Sequence, residues 1–444
     1  MQKLFTEFNA TTANQWKDQL IKDLKGIDFK TLVWETNSGL EIQPFYTSEQ
    51  TSNLKSNLVF THHDWAICEY IIVTDEKLAN TEALNALSNG ASGLVFIIDR
   101  KIDSSVLLKG ILLEHIYAQF KVSIEFLDEL KSTLKSIKGG DRCFINVDVI
   151  NRFAESGNWY SSFEKDFESI KSNSGIVIDA CLYQESGANT IHELAFALSH
   201  LNDYLSYYSE NNLLQQLKQV HLSVSVGGDF FMEIAKIRAL RNLVIFLADQ
   251  YNLKLEIHIH GQTTSINKSV IDSYTNMLRS TTEAMSASIG GCNSIVVLPF
   301  DHVFKSSNDF SRRMARNQQL ILKEESYFNK VADMAAGSYY IENTTTTLCE
   351  KAWQQFKNIE SKGGFIECLK TNMIQDLIEK DAELLINQLT EGKLVLVGVN
   401  KFQNKSEVMT DVIKETISKI NSKTIINPIK QIRLSENFEN VHSN

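Results

Sequence analysis

The sequence predicts an α/β fold, a (β/α)8 barrel, and three observations carry that expectation. About eight strand-like runs alternate with helical runs over roughly 300 residues, the rhythm of a closed parallel barrel. The stretch from His221 to Gln262 shows that rhythm in a single unit. It opens on an alternating run at 221–226, breaks at Gly227-Gly228-Asp229, and continues as a helix over 230–250 with Ile234, Ile237, Leu240, Val244 and Leu247 at helical spacing. A second alternating run at 253–260 puts Leu253, Leu255, Ile257 and Ile259 on one face and Lys254, Glu256, His258 and His260 on the other. Third, no GxGxxG motif follows any strand, which a doubly wound sheet built for a dinucleotide would offer.

Taken in order, residues 1–46 form an arm and hairpin. Phe5 and Phe8 precede a helical run with Trp16, Leu20, Ile21 and Leu24 that ends at Lys25-Gly26. Strands at 32–36 and 40–46 then fold back around Asn37-Ser38-Gly39. This segment has too few apolar residues to bury a core alone. The TIM barrel is assigned to 47–389. Its strands are expected at 66–73, 93–98, 122–126, 144–149, 175–180, 221–226, 253–260 and 294–299. Helices are expected at 75–87, 106–117, 127–137, 163–170, 193–208, 230–250, 270–288 and 310–323. Beyond the barrel rhythm come a short strand at 339–342, a helix over 345–361 closed by Gly363-Gly364, a long helix at 366–389 and a last strand at 394–399. Residues 390–444 are a C-terminal belt, polar and weakly helical from Lys401.

Composition bounds the function. Of 444 residues, 43% are hydrophobic and 22% charged, an ordinary globular balance. The net charge of −10 and the absence of a Lys/Arg cluster argue against nucleic acid as a partner. Six scattered cysteines make no CxxC pair and read as buried thiols of a reducing compartment. No signal pattern opens the chain, and no stretch approaches the roughly 20 apolar residues of a membrane helix, so no membrane partner and a cytoplasmic location are expected.

Several residues invite chemistry. His258 and His260 share a strand face and could ligate a metal given a third ligand; the same pair also fits a polar rim held by hydrogen bonds. Glu256-x-His258-x-x-Gly261 approaches DxHxxG, the pattern whose histidine ligates cobalt in base-off cobalamin domains, but Glu replaces Asp and the companion SxL and GG are missing. His62-His63-Asp64 reads as loop. Gln184 and Glu185 follow the strand at 175–180, where a barrel places its catalytic groups, and fit a helix-capping turn equally well. No GxxxxGK[ST], HExxH or GxSxG occurs.

Longer blocks carry a family resemblance. Phe230-Phe231-Met232-Glu233-Ile234-Ala235-Lys236-Ile237-Arg238-Ala239 resembles the helix signature of adenosylcobalamin-dependent acyl-CoA mutases. Thr282 to Gly291, Ala315 to Glu325, Ala336 to Glu342, Ala352-Trp353 and Gly363-Gly364-Phe365 are similar to further blocks of that family. The opening, with Asp23-Leu24-Lys25-Gly26 and Gly39-Leu40-Glu41-Ile42-Gln43-Pro44-Phe45-Tyr46, resembles methylmalonyl-CoA mutase, particularly small subunits.

The resemblance implies a barrel threaded by the substrate's CoA chain, followed by a cobalamin domain. The residues after the last block are too few for such a domain, so its absence is expected. Catalytic chains carry Tyr-His-x-x-Glu-Ala-Gly where this sequence has Cys181-Leu182-Tyr183-Gln184-Glu185-Ser186-Gly187. Leu182 stands where the family's histidine meets the thioester carbonyl. The tyrosine-bearing RGPY-type segment expected between Tyr46 and Trp65 has no counterpart. Gln184, and His260 with Gln262 from the family's His-x-Gln, are implied remnants of the substrate pocket. No catalytic, cofactor-binding or metal-ligating residue is assigned. The expected function is that of a non-catalytic small subunit of an isomerase, with adenosylcobalamin on a partner large subunit of methylmalonyl-CoA mutase. The alternative is a substrate-binding mutase chain completed by a separate cobalamin-domain protein. Acyl-CoA binding by this chain is left open.

Overall fold

A computed structural model describes residues 9, 11–51, 64–404 and 423–439. Eight parallel strands form one sheet: β1 (Ala66–Ile72), β2 (Gly93–Ile98), β3 (Tyr117–Val122), β4 (Phe144–Asn146), β5 (Gly175–Asp179), β6 (Gln219–Val226), β7 (Glu256–Thr263) and β8 (Ser294–Val296). Their order, β4-β3-β2-β1-β8-β7-β6-β5, is that of a (β/α)8 barrel whose hydrogen-bonded ladder stays open between β4 and β5. Side chains bridge the upper part of that seam. Asp148 Oδ2 accepts the Asp179 N–H at 2.7 Å, and Asn151 Nδ2 donates to the Asp179 carbonyl at 3.0 Å.

Each strand is covered on both faces. On β6, Val220, Leu222, Val224 and Val226 enter the main core with the surrounding helices, while His221, Ser223 and Ser225 alternate onto the other face. Four long helices pack around the sheet: α1 (Thr190–Glu210), α2 (Phe230–Gln250), α3 (Thr275–Gly290) and α4 (Tyr339–Glu360). Asn189 caps α1 by accepting from the N–H groups of Ile191 and His192, and Asp229 caps α2 by accepting from Met232. No helix among the described residues is long and apolar enough to cross a membrane.

Six local expectations change. The third strand runs over Tyr117–Val122 instead of 122–126, and the helix expected at 106–117 shrinks to short turns at Ser104–Leu107 and Leu113–His115. The polar face of that strand (Tyr117, Gln119, Lys121) points into the barrel, so its apolar periodicity is weak. β4 stops at Asn146 because Asp148 caps a helix at Val149–Ser156. Residues 339–342 are the first turn of α4, not a strand. The run 366–389 breaks at Asn372, whose φ of 64° starts a new helix, α5 (Met373–Thr390). Residues 394–399 form no strand beyond one isolated bridge from Val397 to Lys401.

The arm helix, Ala13–Asp23, is closed by a Thr12–Gln15 capping box and buries no residue. Leu40, Ile42 and Tyr46, by contrast, sink into the main core and anchor the hairpin. Phe5, Phe8, His62 and His63 lie outside the described residues, as does the greater part of the segment from Tyr46 to Trp65. Residues 423–439 lie against their own barrel. Ile426 and Ile429 join the core, the Ile432 and Leu434 N–H groups donate to the Glu185 and Ile266 carbonyls, and Ser435 Oγ donates to the Lys268 carbonyl.

Beneath that segment Lys268 and Glu283 form an ion pair at 2.8 Å with both side chains fully buried. Asn267 Oδ1 takes a further Lys268 proton at 2.7 Å. Burial raises the Glu283 carboxyl, opposed by Lys268. Removing one partner leaves a buried charge uncompensated. Lys268→Met is therefore expected to cost about 3–5 kcal/mol in urea unfolding, and adding Glu283→Leu should restore most of it. Equal stability of the single variant and the parent chain would contradict this account.

Candidate functional site

Alternation along β3, β6 and β7 turns Tyr117, His221, His258 and His260 inward, where their rings stack. Ring centroids are 4.9 Å apart for Tyr117–His258 and for His221–His258, each with planes within 10° of parallel. His260 lies 5.9 Å from Tyr117 in the same orientation, and Phe144 of β4 packs against His221 and His258 at 4.5 and 4.8 Å. Hydrogen bonds fix the stack. Tyr117 OH meets His221 Nε2 at 2.7 Å and donates to Gln119 Oε1 at 3.0 Å. The Ser294 hydroxyl joins His258 Nε2 at 2.9 Å to His260 Nδ1 at 2.8 Å. Burial holds all three imidazoles well below their usual range; His260 and Lys121 add to this at His221, and Lys121 and His258 at His260.

Charge begins one layer above, toward the C-terminal ends of the strands. Lys121 Nζ meets Asp179 Oδ2 at 2.9 Å. Burial works against both charges, yet Asp179 raises the Lys121 ammonium well above its usual range and Lys121 lowers the Asp179 carboxyl. Tyr70 OH donates to Gln262 Oε1 in the same layer. Beside it, Cys181–Glu185 forms one short helical turn after β5. Leu182 is 3% exposed and belongs to the main hydrophobic core. Tyr183 turns under the barrel wall, where its OH meets His200 Nδ1 at 2.7 Å; His200 Nε2 in turn meets Asp148 Oδ1 at 2.9 Å. Glu185 is buried and accepts from Ser225 Oγ at 2.7 Å and from the Ser265 N–H at 3.0 Å, tying three strand ends together. Burial raises its carboxyl.

Gln184 alone of that turn faces a cavity, of about 440 Å3, bounded by Trp34 of the hairpin, Gly227-Gly228, Met232 and Leu385. Its Nε2 donates to Glu233 Oε1 at 2.8 Å, and Gly227 leaves room for that bond, since a Cβ there would stand 2.9 Å from the Gln184 nitrogen. Asp229, at the same cavity, is raised to about 6 by burial and the Glu233 carboxylate.

The structure thus separates the residues the sequence singled out. His260 and Gln262 lie in adjacent layers of the barrel interior, Gln184 lies in the mouth cavity, and Leu182 lies in neither. His258 and His260 are interior, not rim, which corrects the placement drawn from strand periodicity alone. Tyr117, Phe144, His221, Ser294, Lys121 and Asp179 complete the interior and escaped the sequence reading as a group. Their one signal was the inward phase of His221, Ser223 and Ser225. Because unfolded histidines titrate near 6.5, the three depressed imidazoles withdraw stability as pH falls below about 6.5, each by roughly 1.4 kcal/mol per pH unit until its own folded pKa is reached. Glu193 and Asp203, raised to about 7 by burial, act in the opposite direction. Nitrogen-15 spectra should therefore show the His221, His258 and His260 rings neutral from pH 8 to pH 5; a midpoint near 6.5 for any of them would overturn the assignment.

Comparison with known proteins matches this architecture. The family model described as methylmalonyl-CoA mutase covers residues 158–444. The methylmalonyl-CoA mutase small subunit of Porphyromonas gingivalis is 33% identical over 93% of this chain and 73% of its own length. The methylmalonyl-CoA mutase of Rhizobium meliloti is 26% identical over 91% of this chain, which spans 65% of that protein. A probable methylmalonyl-CoA mutase small subunit of Mycobacterium tuberculosis is 32% identical over 52% of this chain and 39% of its own length. The fold and these matches together show that the chain belongs to the methylmalonyl-CoA mutase family.

Proposed function

We propose that this chain is the non-catalytic small subunit of a methylmalonyl-CoA mutase, supporting a large subunit that isomerises (R)-methylmalonyl-CoA to succinyl-CoA. The observation that carries the reading is the filled barrel axis. An acyl-CoA chain threaded through a barrel needs a lumen, and here Tyr117, Phe144, His221, His258 and His260 stack across it. Leu182 supports the same reading. An apolar side chain buried in the core offers no donor to a thioester oxygen, and the loss of a positioned donor costs about 3–4 kcal/mol of transition-state stabilisation.

Adenosylcobalamin supplies radical chemistry in this family, and the described residue nearest to a cobalt-ligating pattern does not fit it. His258, the residue nearest to a cobalt-ligating motif, is enclosed between Tyr117 and His221 with Nε2 bonded to Ser294. That enclosure supports the reading in which the cofactor sits on the large subunit, and no catalytic step is assigned here. The arm suits a contact role. Its helix buries nothing in this chain, and Ile27, Trp34 and Phe45 are each at least half exposed, an apolar surface that a partner would cover. The belt is the second proposed contact element.

Co-expression with a large subunit tests the proposal. The two chains should co-purify in equal amounts, deletion of residues 1–46 should release this chain, and turnover should follow the large subunit. This chain alone with adenosylcobalamin should show background activity, and Leu182→His should not raise it. Measurable turnover by this chain alone would refute the assignment.

A further inference from the structure

The seam between β4 and β5 is bridged above by Asp148 and Asn151, but below them a groove of about 360 Å3 enters the barrel wall. Its sides are the facing edges of two strands that share no ladder bonds. The Asp179 peptide points across the seam, and the Ala180 N–H turns the other way, to the Ser223 carbonyl of β6. Alternation then directs the peptide groups of Val177 and Gly175 at the groove.

At its inner end lies His221, 1% exposed, whose Nδ1 has no hydrogen-bond partner while Nε2 is committed to Tyr117. At its outer end are Lys131 and Lys135, one turn apart on the helix Leu127–Ser136. Neither makes an ion pair among the described residues. Burial pulls the Lys131 ammonium down from its usual range, Asp128 opposes, and Lys135 adds to the pull. Asp141 is the carboxylate on the lining, so the cations outnumber it.

We propose that this groove is a binding site for a phosphate monoester carried on a hydroxylated carbon chain or ring. Two ammonium groups without carboxylate partners suit a phosphate dianion at the mouth. The walls, with peptide N–H and C=O groups together, call for a ligand that both donates and accepts along its length, as hydroxyls do. An inner hydroxyl donates to a bare imidazole nitrogen and would equally accept from a protonated one. The volume suits a molecule the size of a hexose phosphate.

Calorimetry on the full chain with glucose 6-phosphate, glucose and inorganic phosphate tests this. Glucose 6-phosphate should bind at least about tenfold more tightly than either fragment. Lys131→Met with Lys135→Met should weaken it by about tenfold or more while Tm stays unchanged. Titration should shift the His221 Nδ1 resonance of the unmodified chain, a readout that does not require a buried variant to fold. His221→Phe, where folded, should reduce the affinity to that of inorganic phosphate. The site is refuted if glucose 6-phosphate fails to bind, if inorganic phosphate binds as well, if the lysine pair is dispensable, or if the His221 signal does not move.

Discussion

The stack of neutral rings across the barrel axis is the constraint from which the rest of this structure follows. An eight-stranded barrel must fill its interior with side chains in layers. This chain fills the lower layers with Tyr117, Phe144 and three imidazoles instead of branched aliphatics. Rings this close, in a medium that does not screen, tolerate no shared positive charge. The hydrogen bonds reflect that demand. Ser294 serves two imidazoles with one hydroxyl, and Tyr117 passes its own proton on to Gln119. Charge is admitted only in the next layer, as the Lys121–Asp179 pair whose members hold each other ionised.

Outside the barrel the same rule holds with more charges. Lys236 of α2 meets Glu193 of α1 at 2.9 Å and Glu233 at 2.7 Å, and also donates to the Ser225 carbonyl. Arg238 reaches Asp333 at 2.7 Å and Glu342 of α4 at 3.1 Å. Both cations are buried, because α2 is enclosed by its neighbours on every side that these residues face. The helix that carries the family's sequence signature is thus held by paired charges that cross to α1 and α4. The spacing of Lys236 and Arg238 in the sequence thus reports their packing partners on α1 and α4.

This explains which parts of the structure were legible from the sequence. Strands flanked by apolar outward faces, such as β2, β5 and β6, were readable because both period and composition agreed. β3 was not, since its inward face holds Tyr117, Gln119 and Lys121, and an interior built of polar side chains erases the contrast that periodicity relies on. The same cause hid the interior as a site. His258 and His260 stood out as a pair on one strand, but the residues that define their setting come from β3, β4, β6 and β8. No spacing rule links Tyr117 to His221 or His260 to Ser294. Leu182 was found through the family blocks, and Gln184 first through its place after the strand at 175–180. Their divergent fates, core and cavity, depend on a one-turn helix that the run Cys181-Leu182-Tyr183-Gln184-Glu185 does not distinguish from a capping loop.

A barrel kept only as packing would not choose this interior. Gln119 Nε2, Ser223 Oγ and His260 Nε2 are buried without hydrogen-bond partners, and each such group costs about 1–3 kcal/mol. Aliphatic side chains of like volume would remove that cost. The axis therefore adds little to stability, and the burden falls on the shell: the helices around the sheet, their buried ion pairs and the segment 423–439 over the barrel mouth. A scaffold stabilised from its outside presents rigid helices and loop ends to a partner, while its interior is free to depart from the requirements of a substrate channel. Leu182 in the core and the rings stacked along the axis belong to that interior, and the ion-paired helices around them are the part best held together.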